Sequence, residues 1–131
     1  MTSPRPALFL DRDGVLNLDK GYVSRVEEFE WVDGAKDCVK AFNDRGWWVF
    51  VVTNQSGIAR GYYTEDDMQT LHAHMAEELA AVGAKIDHFY FSPFHEDGEI
   101  ERYRKDSFDR KPKPGMLLSA MGDFPVNREM S

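Results

Sequence analysis

Asp11-Arg12-Asp13-Gly14 sets two carboxylates two residues apart, directly after the short apolar run Ala7-Leu8-Phe9-Leu10. Carboxylates so spaced suit phosphoryl transfer. One can attack a phosphorus atom, while the other protonates the leaving oxygen and then activates water. Two negative charges beside a phosphate repel one another, so a cation such as Mg²⁺ is required to hold the anions together. Gly14 permits the tight turn that brings both side chains to one place. Taken alone, the four residues favour an ordinary acidic loop or a surface calcium loop.

Two further segments carry complementary chemistry. Thr53-Asn54-Gln55-Ser56-Gly57 offers a hydroxyl, two amides and a glycine-containing turn, neutral donors that suit phosphate oxygens. A plain polar turn after a strand is the alternative. Arg60, close by, could hold a distal anionic group or be a solvated surface arginine. Arg110-Lys111-Pro112-Lys113-Pro114-Gly115 concentrates cations just before a helix start. A lysine there can neutralise a phosphoryl oxygen and the attacking carboxylate together. Surface charge balance on an acidic protein is the bland alternative.

The elements that must position these groups are legible from pattern. Residues 7–10 suit a buried strand of a parallel sheet. Residues 35–45 read as a helix with Cys38, Val39 and Phe42 on one face and Gly46 as its stop. Trp47 to Thr53, β-branched and aromatic throughout, is the strongest strand signal, with Trp47 and Trp48 on opposite faces. Thr64, with Asp67 three residues on, opens a long helix whose apolar stripe is Leu71, Met75, Leu79 and Val82, closed by Gly83. Ile86 to Phe91 reads as a third strand, residues 92–113 as a charged and mostly irregular segment, and Gly115 to Met121 as a short helix introduced by Pro112 and Pro114. Such alternation predicts an α/β fold: a Rossmann-like parallel sheet with helices on both faces. All three chemical segments then fall at the carboxyl edge of one sheet, where such folds bind ligands.

Composition narrows the function classes. The chain has 131 residues, 42% of them hydrophobic, enough for one buried core in a single domain spanning 1–131. A net charge of −7 argues against nucleic acid or an anionic membrane as a general partner, and an anionic substrate must meet a local basic cluster. Cys38 is the only cysteine, so intramolecular disulfides are impossible and a reducing, cytoplasmic setting is the simple reading. Neither an internal repeat nor a stretch of roughly 20 apolar residues is evident.

Phe9-Leu10-Asp11-Arg12-Asp13-Gly14-Val15, Gly21-Tyr22-Val23, Val52-Thr53-Asn54-Gln55-Ser56-Gly57-Ile58-Ala59-Arg60-Gly61 and Arg110-Lys111-Pro112-Lys113-Pro114-Gly115-Met116 resemble the haloacid dehalogenase-like phosphatases of the capless type. Within these the resemblance is to the branch that contains the D-glycero-D-manno-heptose-1,7-bisphosphate 7-phosphatases and the histidinol-phosphatases. It implies Asp11 as nucleophile forming an aspartyl-phosphate, Asp13 as general acid/base, Thr53 and Asn54 as phosphate ligands, and Lys111 as the lysine that steadies the phosphoryl group. It further implies that Arg110, with Asp19, Tyr22, Ser56 and Arg60, contacts the sugar or its second phosphate, and that Asp11 and Asp13 hold Mg²⁺. The implied substrate is a small phosphorylated metabolite, first a D,D-heptose 1,7-bisphosphate, with histidinol phosphate as alternative.

The sequence departs from that branch in two places. The positions matching its Cys-x-His and Cys-x-Cys zinc loop are Ser92, Phe94, Ser107 and Asp109, so no zinc site is expected, and the 92–109 loop is expected to be more mobile without that staple. The strand and acidic motif that complete the magnesium site in the family are also absent. The chain is therefore expected to be C-terminally truncated relative to it, to lack a further acidic metal ligand, and to bind phosphate at most if inactive. Asp123 follows a helix and is no substitute. Intact members are monomers, whereas a free central edge here invites self-association. Of the other conspicuous side chains, His72 and His74 read as surface or partly buried structural residues. His88 and His95 are isolated. Cys38 reads as core, and Met68, Met75 and Met116 as core filling.

Overall fold

The computed structural model describes residues 4–55, 57–95, 98, 100–103, 111 and 115–127. Its elements, in chain order, are β1 (Ala7–Leu10), α1 (Ala35–Asp44), β2 (Trp48–Asn54), α2 (Glu65–Ala80), β3 (His88–Ser92) and α3 (Gly115–Asp123), with single 3₁₀ turns at Val26–Glu28 and Glu101–Tyr103. The three strands are parallel and lie in the order β1-β2-β3, with Leu10 beside Val51 and Thr53 beside Phe91.

β2 is the centre of the sheet, and its sequence shows why. Val49, Phe50 and Val51 are fully buried, each contributing roughly 1.5–3 kcal/mol by burial. The strand's period of two splits them between two cores. Val49 and Val51 meet Val39 of α1 and Met75 and Leu79 of α2 on one face. Phe50 and Val52 meet Met116 and Ala120 of α3 on the other, with Phe9 and Trp48 alongside. Helices thus cover both faces, as the alternating pattern predicts. Trp47 packs edge-on to Phe42 while Trp48 stacks near Phe50 and Phe124, so the two indoles do point to opposite sides.

Right-handed crossovers that advance in one direction put their helices on one face, and a reversal puts the next helix on the other. α1 and α2 share a face and α3 takes the opposite one. The chain after α3 accordingly returns to the outer edge of β1: Arg5 N–H donates to the Pro125 carbonyl at 2.9 Å and Asn127 N–H to the Arg5 carbonyl at 2.7 Å, a parallel bridge between Arg5 and Val126. The direction of strand addition therefore reverses at β1, which makes the carboxyl end of β1 a topological switch point, the usual place for a ligand in an open α/β sheet. Asp11 is the first residue beyond that end.

Three expectations need correction. Cys38 is exposed rather than core, because the buried stripe of α1 runs through Ala35, Val39 and half-buried Phe42, and Cys38 lies outside its edge, about 100° around the helix from Val39. Val82 is 43% exposed, because α2 ends at Ala80 and its helical phase no longer applies. His72 is buried at 3%, within the α2 stripe formed with Met68, Leu71, Met75 and Leu79. The cap of α2 is as read: Thr64 Oγ1 accepts from Asp67 N–H at 3.1 Å, and the Asp67 carboxylate takes Thr64 N–H at 2.9 Å. Met68, Met75 and Met116 are all core residues. No described helix is long and apolar enough to cross a membrane.

Candidate active site

At the mouth of the switch point lies a cavity of about 380 Å³, lined by Asp11, Asp13, Asp19, Tyr22, Asn54, Gln55, Tyr63 and Lys111. Asp11 is positioned by the abrupt end of β1. Its Oδ1 accepts from the Arg12 N–H at 2.8 Å and its Oδ2 meets Lys111 Nζ at 3.0 Å. Lys111 Nζ also donates to the Val52 carbonyl at 3.1 Å, which aims the ammonium at the tip of β1. Its backbone is clasped by Asn54, whose Oδ1 accepts from Lys111 N–H at 2.9 Å and whose Nδ2 donates to the Lys111 carbonyl at 3.3 Å. Two segments far apart in sequence are thereby tied at the strand ends. Asn54 borders the cavity, but its side-chain amide is engaged with Lys111.

Asp13 is held from the protein interior. Residues 12–17 form a tight loop in which the Arg12 carbonyl accepts from Leu16 N–H at 2.9 Å and Gly14 N–H donates to the Asn17 carbonyl at 2.7 Å. Gly14 sits at φ +88°, a conformation that a side chain would strain. The loop turns Arg12 inward, where it is 0% exposed. Its guanidinium donates through Nη2 to Asp13 Oδ1 at 2.9 Å and to the Val23 carbonyl at 2.8 Å. Nη1 faces His72 Nε2 at 3.3 Å. A guanidinium can only donate, so Nε2 is the bare nitrogen and the ring proton sits on Nδ1. Burial, reinforced by the Arg12 charge, lowers the His72 pKa to about 3, so this histidine is neutral. Asn17 Nδ2 adds a bond to Asp13 Oδ1 at 3.0 Å, and Gln55 Nε2 one to Oδ2 at 3.2 Å.

The remaining predicted residues divide. Asp19 and Tyr22 border the cavity. The Asp19 carboxylate accepts from Gly21 N–H at 3.0 Å, and Gly21 and Tyr22 are both left-handed, at φ +81° and +51°. Tyr22, strained as a non-glycine in that region, packs edge-on to Tyr62. Thr53 is 1% exposed, with its hydroxyl accepting from Gln55 Nε2 at 2.9 Å. Arg60 does not border this cavity; its guanidinium faces His95 at 3.4 Å. Ser56 and Arg110 lie outside the described residues, as do Ser107 and Asp109 of the expected loop. Ser92 is buried at the end of β3, and Phe94 packs near Tyr103. Among the described residues no group of three or more histidine, cysteine or acidic side chains is placed to hold a metal. Asp123 lies away from the site, accepting from the Tyr90 hydroxyl at 2.9 Å.

Sequence reasoning passed over Arg12, Asn17 and Tyr63, and treated Gln55 as a donor toward phosphate rather than toward Asp13. No local signal marks Arg12, since a charged side chain just past a strand end can equally turn to solvent.

No family model matches the chain. Individual relatives do. It is 44% identical over 127 residues to the D-glycero-beta-D-manno-heptose-1,7-bisphosphate 7-phosphatase of Rhodopseudomonas palustris, covering 97% of this chain and 71% of that one. It is 49% identical over 121 residues to the D-glycero-alpha-D-manno-heptose-1,7-bisphosphate 7-phosphatase of Burkholderia mallei, covering 92% and 64%. Among solved structures, a Mesorhizobium loti protein assigned to the HAD-like phosphatases superposes with a TM-score of 0.89 at 36% identity, over 95% of this chain and 60% of that one. The D,D-heptose 1,7-bisphosphate phosphatase of B. bronchiseptica, complexed with magnesium and phosphate, superposes with 0.78 at 29% identity, over 91% and 64%. The chain thus spans about two thirds of the length of the relatives it matches. Motif, topology and relatives agree: the chain belongs to the heptose-1,7-bisphosphate 7-phosphatase family of HAD-like phosphatases.

Proposed function

We propose that this chain hydrolyses a phosphomonoester, with Asp11 as nucleophile and Asp13 as general acid and base, and that its substrate is a heptose 1,7-bisphosphate cleaved at the 7-position. The observation that carries this reading is the Asp11–Lys111 pair, 3.0 Å apart at an open cavity, beside an Asp13 carboxylate anchored from below. In the first half-reaction an Asp11 oxygen bonds to phosphorus, the phosphorus–alkoxide bond breaks, and Asp13 gives its proton to the departing sugar oxygen. In the second, Asp13 takes a proton from water, the water oxygen attacks phosphorus, and the bond to Asp11 breaks. Lys111 faces the charge that develops on the transferring group. Thr53, 1% exposed, and Asn54, whose side-chain amide holds Lys111, are the candidates for phosphate contact at the strand end, and Asp19, Tyr22, Ser56, Arg60 and Arg110 for the sugar and its second phosphate.

Asp11 and the Asp13 main-chain carbonyl are the groups that would hold Mg²⁺. Among the described residues no protein donor takes that carbonyl, and Lys111 is the one cationic side chain paired with Asp11, so the oxygen donor set suits a hard cation. Mg²⁺ bound there supplies the positive charge that lets a carboxylate approach a phosphate dianion. A cytoplasmic location and the absence of zinc are part of the same reading.

Phosphate release from heptose 1,7-bisphosphate, histidinol phosphate and other sugar phosphates, with Mg²⁺ and with EDTA, tests it on this chain and on one extended to the length of its relatives. The expected result is Mg²⁺-dependent release, highest for the heptose bisphosphate, that falls at least about 10³-fold in Asp11→Asn. Turnover that survives this substitution would overturn the assignment, and preference for histidinol phosphate would overturn the substrate.

A further inference from the structure

We propose that Tyr63 is a positioning residue for Asp13 and acts through the amide of Gln55. Gln55 is 2% exposed and Tyr63 8%. The Tyr63 hydroxyl donates to Gln55 Oε1, and Gln55 Nε2 then donates both to Asp13 Oδ2 at 3.2 Å and to Thr53 Oγ1 at 2.9 Å. An amide has one accepting end and one donating end, and turning it over would set Oε1 against the Asp13 carboxylate. Tyr63 holds the accepting end and so fixes which face Asp13 meets.

The two oxygens of Asp13 are loaded unequally. Oδ1 takes Arg12 and Asn17, whereas among the described residues Oδ2 takes Gln55 alone. Oδ2 therefore keeps the capacity to carry a proton to or from a ligand in the cavity, and Gln55 sets its direction. One amide also joins Asp13 to Thr53, so the general acid and the phosphate-facing strand end share a support.

Tyr63 is built to stay a donor. Its ring is packed in the cluster of Ile58, Ala59, Met68 and Tyr103. A Cβ on Gly57 would lie 2.3 Å from that ring, so glycine is required there by space and not by backbone angle. Burial pushes the phenol up to about 12, and it keeps its proton across the working pH range. Tyr63 borders the cavity, but its hydroxyl is spent on Gln55.

The inference rests on the hydrolase reading for its kinetic arm and is independent of it in its structural arm. Tyr63→Phe removes the hydroxyl and keeps the ring. On a sugar phosphate it is expected to lower kcat about tenfold with KM unchanged, a fraction of the 10²–10⁴ that a general acid supplies. In a Gln55→Ala background the same substitution is expected to cost nothing, because the group it acts through is gone. A loss of similar size in both backgrounds, or a rise in KM alone, would overturn the proposal. Independently of turnover, the Gln55 side-chain amide protons are expected to exchange slowly with solvent in the unmodified chain and rapidly in Tyr63→Phe. Equal exchange in the two would also overturn it. A chain that turns over no phosphomonoester would count against the hydrolase reading alone, and the amide exchange would still decide the clamp.

Discussion

Removing the Asp13 carboxylate leaves the Arg12 guanidinium, 0% exposed, with only the Val23 carbonyl and the His72 ring to face among the described residues. Breaking one partner of a buried ion pair costs far more than the pair itself contributes, because the surviving charge has no solvent. Asp13→Ala is therefore expected to lose about 3 kcal/mol or more of stability in urea denaturation, alongside its loss of activity. Asp13→Asn, which keeps an acceptor oxygen for Arg12, should lose much less stability and an equal share of activity. Similar stability for the two variants would show that Arg12 finds compensation elsewhere. The acids themselves were legible in the sequence, since their type and spacing state their chemistry. Arg12 was not, because the Asp-x-Asp pattern does not say which way the middle side chain turns.

Secondary-structure elements set the tolerances around that site. Leu79 and Val82 read as one apolar stripe, yet Leu79 is 0% exposed against the sheet while Val82 lies past the end of α2 and is 43% exposed. Leu79→Ala should cost about 2–5 kcal/mol and Val82→Ala less than about 0.5 kcal/mol, as read from denaturant midpoints at constant m-value. Comparable costs would mean that α2 continues in solution beyond Ala80. The existence of the three strands and three α-helices followed from local pattern, whereas the 3₁₀ turns did not. Nor did the ends of the elements: β3 begins at His88, not Ile86, because Asp87 N–H donates to the Val49 carbonyl and its carboxylate takes Val49 N–H, both at 2.8 Å. That is a contact between residues 38 apart, which no local window contains.

For the whole molecule, the buried polar layer that steadies the site also couples folding to pH. His72 is held near pKa 3, below its unfolded value of 6.5, by burial and by Arg12, against the opposing pull of Asp13. Between those values the unfolded chain binds the proton and the folded chain does not, so stability falls as pH drops below 6.5. The expected loss from this residue is about 2 kcal/mol between pH 6.5 and 5, at 1.36 kcal/mol per pH unit. His72→Gln should flatten that part of the stability profile, and an unchanged slope would assign the acid sensitivity to other groups. The sequence by itself determined that a parallel sheet would carry Asp11, Thr53 and Lys111 at one edge. Strand periodicity and the right-handed crossover leave little freedom there, since Asp11 and Thr53 sit at strand ends and Lys111 in the connection between β3 and α3. Only the tertiary structure decided what stands behind them. Arg12 reaches His72 across 60 positions and Gln55 reaches Asp13 across 42, and such partners are chosen by how two cores pack against one sheet. The pair of acids is local chemistry, whereas the clamp that aims one of them is a product of packing.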